Sequence, residues 1–144
     1  MPRDRLKPHI EVGDFVYCRS PYHRSQLGLP REAALVLEVK RSNYRLLYGA
    51  DKSCWLPGPT LIRVEGQVNQ ATLGGKLHGI LRRFRPLDCE LTSDGGVHRA
   101  TLRIDQLSAT LVDEIREFLG PDFVSLNVVP EGMAFMLAEV RFRT

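Results

Sequence analysis

The chain has 144 residues, a formal net charge of +3 at neutral pH, and 43% hydrophobic and 26% charged residues, a balance that fits one globular domain or two small ones and excludes a fibrous or disordered chain. No apolar run is long enough to cross a bilayer, and residues 1–8 lack the apolar stretch of a secretory signal, so a place in the cytoplasm of a cell or host, or in an assembled particle, is expected. Cys18, Cys54 and Cys89 are odd in number and too widely spaced for a metal knuckle or a disulfide framework, and read as buried thiols.

The first half reads as five short strands. Gly13 and Asp14 turn the chain into a strand in which Phe15, Tyr17 and Arg19 face one way and Val16 and Cys18 the other. Residues 20–31 carry Pro21, Gly28 and Pro30, and are expected to form an irregular polar loop suited to binding. Residues 33–40 are mostly apolar, as in a strand buried on both faces. Arg41, Ser42 and Asn43 make a tight turn into a third strand at 44–48. Gly49 to Lys52 turn again, 53–56 form the fourth strand, and Pro57, Gly58 and Pro59 precede a fifth at 61–64. Five strands in so short a span, with turn residues between them, favour a small barrel over an open sheet.

The run Val12 to Val16, then Leu35 to Val39, Tyr44 to Tyr48, Asp51 with Lys52, Trp55 with Leu56 and Pro57, and finally Leu61 to Val64, resembles the strand pattern of Tudor-like and related SH3-like small barrels. The resemblance implies a five-strand SH3-like barrel over residues 10–65. In Tudor domains an aromatic cage near the ends of the first and third strands, closed by a polar or acidic residue, holds methylated lysine or arginine. The positions that match it are Tyr17, Tyr22, Tyr48 and Asp51, and each ring contact to a methylammonium contributes about 0.5–2 kcal/mol.

Residues 65–70 are polar and mark a boundary, after which 66–144 read as an α+β domain. Leu73, Gly74, Gly75 and Lys76 suggest a turn, and Gly79 to Pro86 lead into an extended stretch at 87–91. Ser93, Asp94, Gly95 and Gly96 spell a hairpin into a strand at 98–104 in which Ala100, Leu102 and Ile104 alternate with Arg99, Thr101 and Arg103. Ser108 caps a helix near 108–119 with Leu111, Val112, Ile115, Phe118 and Leu119 on one side, and Gly120 and Pro121 end it. Two strands, 123–129 and 133–142, complete an antiparallel sheet. The last is apolar on both faces up to Glu139, and a single helix cannot cover both, so the first half or another chain is expected to do so.

Arg82, Arg83 and Arg85, with Phe84 among them, form the densest basic cluster, and Arg99 and Arg103 lie on the neighbouring strand; together they suit phosphate contacts with base stacking. His9, His23, His78 and His98 have no second ligand at metal spacing, no glycine-rich loop opens a helix, and no nucleophile and base are spaced as a pair. The expectation is a protein that is not an enzyme and uses no cofactor or metal. It would be an interaction or assembly protein, such as a virion component, that binds a protein partner, a second copy or a larger particle through the barrel loop and an apolar sheet face. The alternative is nucleic-acid binding through the arginines.

Overall fold

The computed structural model describes residues 9–27, 33–48, 52–64 and 72–144. Among the described residues the chain is mixed α and β, mostly antiparallel sheet with three helices, and it divides into two compact units, Met1–Gln67 and Val68–Thr144. Among the described residues no helix is long and apolar enough to cross a membrane.

In the first unit β1 (Phe15–Cys18) is followed by α1 (Pro21–Leu27), β2 (Ala34–Lys40), β3 (Asn43–Tyr48), β4 (Lys52–Pro57), a 3-10 turn (Gly58–Thr60) and β5 (Leu61–Val64). All pairings are antiparallel, in the order β4-β3-β2-β1-β5. The turn into β1 is fixed by Asp14, whose buried carboxylate accepts from the Glu11 N–H at 2.8 Å, and by Gly13, at φ +96°, whose N–H donates to Val36 O at 2.9 Å. Side chains from every strand (Val16, Cys18, Ala34, Val36, Leu46, Leu56 and Leu61) meet in one buried cluster, flanked by Tyr44, Tyr48 and Cys54. The sheet therefore curls around this cluster. It is not closed: among the described residues β4 and β5, the two ends of the order, do not pair with each other.

The polar loop expected after β1 contains a short helix. Ser20 Oγ lies 3.4 Å from the His23 N–H, the Arg24 N–H donates to Ser20 O at 3.1 Å, and Pro21 occupies the first helical position. A serine cap followed by proline is a helix start, and Gly28 and Pro30 further along hid it.

In the second unit α2 (Leu73–Phe84), β6 (Asp88–Asp94), β7 (Val97–Ile104), α3 (Ala109–Leu119), a 3-10 turn (Gly120–Asp122), β8 (Phe123–Glu131) and β9 (Phe135–Arg143) follow in turn. The strands are antiparallel in the order β6-β7-β9-β8, with Gly95 and Gly96 at positive φ in the β6–β7 turn. Ser108 Oγ accepts from the Leu111 N–H at 3.2 Å and starts α3.

Helix α2 replaces the turn and extended segment expected at 73–86. Thr72 Oγ1 caps it by accepting from the Gly75 N–H at 3.0 Å, and Arg85, in the left-handed conformation at φ +49°, ends it with its N–H donating to Leu81 O at 2.9 Å. Gly74, Gly75 and Gly79 each weaken helix propensity by about 1 kcal/mol. The burial of Leu77, Ile80, Leu81 and Phe84 overrides that local signal. The strand expected to be apolar on both faces has only one buried face. Ala138, Val140 and Phe142 are fully buried on one face, while Glu139 and Arg141 carry charge on the other.

Candidate binding surfaces

The four residues matched to an aromatic cage occupy different environments. Because β1 alternates, Val16 and Cys18 enter the inner cluster and Tyr17 lies on the opposite face of the strand. There Arg24 of α1 covers it, with Nη1 2.5 Å from the Tyr17 hydroxyl and the guanidinium carbon 5.2 Å from the ring centroid. Tyr48 packs instead against the inner cluster, where burial, with a smaller effect from Cys54, raises its phenol above the ordinary value. Tyr22 stands 68% exposed on α1, edge-on to His23. Tyr17 and Tyr48 thus face opposite sides of one sheet, and Asp51 lies outside the described residues.

The outer face of β1 and β5 brings Phe15 and Tyr17 together with Ile62 and Val64. Tyr17 is paired with Ile62 and Phe15 with Val64, so these four side chains form one stripe, and Ile62 and Val64 remain 43% and 40% exposed. Arg24 closes one end of the stripe, held by its bond to Cys18 O at 3.0 Å. Arg19 ties the end of β1 to the 3-10 turn through two bonds to Pro59 O, at 3.1 and 3.3 Å. The signal in the sequence was the period of two: once Leu61 is assigned to the core, Ile62 must point outward.

The five arginines are divided between a helix and a strand. Arg82, Arg83 and Arg85 belong to the last turn and cap of α2, not to an extended strand. Arg83 lies over the Phe118 ring at 4.2 Å and donates to Gly79 O at 3.1 Å, so it bridges α2 and α3. Arg99 and Arg103 do share the outer face of β7, where they meet carboxylates. Arg99 Nη1 is 3.9 Å from Glu139 Oε2, and Arg103 has Nε 2.9 Å from Glu131 Oε1 and Nη1 3.6 Å from Asp88 Oδ2. Neighbouring Arg141 pairs with Glu139 at 3.1 Å. On this face cations and carboxylates alternate.

Cys18 and Cys89 are buried and Cys54 is half-buried, all three as free thiols. Burial, and next the proximity of Cys18, pushes the Cys54 thiol up to about 11, which removes its nucleophilic form at neutral pH. Among the described residues no group of three or more histidine, cysteine or carboxylate side chains is placed to hold a metal ion. No family model, curated protein or solved structure matches this chain.

Proposed function

We propose that this chain is a non-enzymatic interaction or assembly protein, that its N-terminal unit is an SH3-like barrel in the broad sense, and that it docks a protein partner on the outer face of β1 and β5. The observation that carries this reading is the stripe of Phe15, Tyr17, Ile62 and Val64, of which the two β5 side chains stand well exposed to solvent. Covering the part of Ile62 and Val64 that is still exposed contributes about 1 kcal/mol each, and together with the ring edges of Phe15 and Tyr17 this can anchor a contact. The strand order and the 3-10 link between β4 and β5 support the barrel reading. Because Arg24 already covers the Tyr17 ring, the surface suits an apolar partner segment with a carboxylate near Arg24 better than a methylated amine.

A nucleic-acid role has less support, since Arg83, Arg99 and Arg103 each meet a partner within their own unit. The test is capture by the immobilised full chain from a lysate of its source, compared with Ile62→Asp and Val64→Asp. Proteins retained by the wild type and by a second-unit control, Leu87→Asp at an exposed position, but lost from both β5 variants support the reading. Equal retention by all four chains, or none by any, sinks it.

A further inference from the structure

We infer that β8 is a self-pairing edge, at which two copies of this chain join antiparallel across a two-fold axis and continue one sheet into the other. Among the described residues β8 pairs with β9 alone and ends the order β6-β7-β9-β8, although it is nine residues long. A strand of that length leaves a row of backbone donors and acceptors open, and natural edges of this kind are blocked by charge or by proline. Residues 123–129 contain no charged side chain and no proline; the first proline is Pro130.

The side chains say which strand fits. Read from either end, Phe123, Val124, Ser125, Leu126, Asn127, Val128 and Val129 give the same order of chemical types: apolar, valine, small polar, leucine, small polar, valine, apolar. A palindrome of this kind matches its own copy in antiparallel register. With Leu126 on the axis, Ser125 faces Asn127 of the second copy and Val124 lies across from Val128, while the bulge carries Phe123 to the core face beside Phe142 and ends the pairing there. Ser125 and Asn127 share the face of β8 that lies beside Arg141 and Glu139, and this register sets the polar side chain of each opposite that of the other in the second copy.

The ends are compatible as well. Asp122 and Glu131 come close to each other across the axis, and each already holds a cation of its own unit: Lys76 at 3.2 Å from Asp122, and Arg103 at 2.9 Å from Glu131. The bulge between Phe123 and Ser125 lies at the end of the paired span and leaves its middle regular. The interface uses the second unit only and does not depend on the partner surface of the first.

Sedimentation velocity of the full chain from about 1 to about 200 μM tests the inference, together with Asn127→Lys and Val129→Lys, both at exposed positions. The expected result is a species of twice the chain mass for the wild type, and a dissociation constant raised at least about tenfold by either lysine, with an unchanged circular dichroism spectrum. An equimolar mixture of Asn127→Lys and Asn127→Asp regains the dimer, because the two side chains are diagonal neighbours across the axis. A wild type that stays monomeric throughout, a dimer untouched by both lysines, or a mixture that fails to recover overturns it. If Asn127→Lys loses its native spectrum, Val129→Lys supplies the same measurement.

Discussion

Gly79 of α2 lies directly against the ring of Phe118 of α3, so close that a Cβ at position 79 would overlap three of the ring's atoms. Arg83, one turn on, covers the same ring with its guanidinium. The two helices therefore meet through a glycine on one side and an aromatic ring clasped by a cation on the other. In an exposed helix, exchanging glycine for alanine stabilises by about 1 kcal/mol. Here the sign reverses. Gly79→Ala is expected to destabilise by about 1–3 kcal/mol through overpacking, read from urea denaturation midpoints. Adding Phe118→Leu should recover part of that loss, and a purely additive double mutant would contradict the contact.

Arg85 carries the opposite expectation. It holds a left-handed conformation at φ +49° at the end of α2, which a side chain adopts at a cost of about 1–2 kcal/mol and glycine at almost none. Arg85→Gly should raise stability by about 1 kcal/mol. Thr72→Ala, at the other end of the helix, should lower it by about the same amount by removing the cap on Gly75. Both are measurable in one denaturation series.

Alkaline pH should weaken the first unit. Folding raises the Cys54 thiol from 9.0 to about 11, so the folded state favours the protonated form. Its contribution is complete below pH 9.0 and is lost as pH rises from there through about 11. Tyr48 is shifted in the same direction from 10.0 and adds to the loss at the upper end of that range. Thermal midpoints measured from pH 8 upward should fall more steeply for the wild type than for Cys54→Ser. Parallel curves would show that the Cys54 thiol is not held protonated by the fold.

At the other end of the scale, burial lowers the pKa of His98, whose ring nitrogens lie 2.6 Å from Ser93 Oγ and 3.0 Å from Thr144 Oγ1. The stability tied to its neutral form is present above the ordinary value of 6.5 and declines as pH falls below it through the lowered folded value. His98→Gln should flatten that acidic decline in the same thermal series. An acid limb identical to wild type would assign it to other groups.

Nucleic-acid binding is expected to be weak. Filter binding on single- and double-stranded oligonucleotides at two salt concentrations should give affinities no tighter than about 100 μM, with Arg99→Ala and Arg103→Ala close to wild type. A tighter affinity whose salt slope drops by about 0.7–0.9 for each arginine removed would restore the arginines as a phosphate-binding face.

Period and punctuation in the sequence determined the strands of both halves, the β6–β7 hairpin at Gly95 and Gly96, and helix α3 with its Ser108 cap, because each is specified by neighbours in the chain. Helix α2 was not legible: its glycines speak for a turn, and only the buried faces of Leu77, Ile80, Leu81 and Phe84, with Phe118 waiting against Gly79, make a helix the better state. The same holds for the surfaces. The sequence identified the tyrosines and arginines as chemistry-bearing residues and placed Arg99 and Arg103 on one face. Tertiary structure decided that Tyr17 and Tyr48 face opposite sides of the sheet, and that Arg103 lies between Asp88 and Glu131. Strand pairing sets those relationships across dozens of residues, where a short-range pattern carries no information.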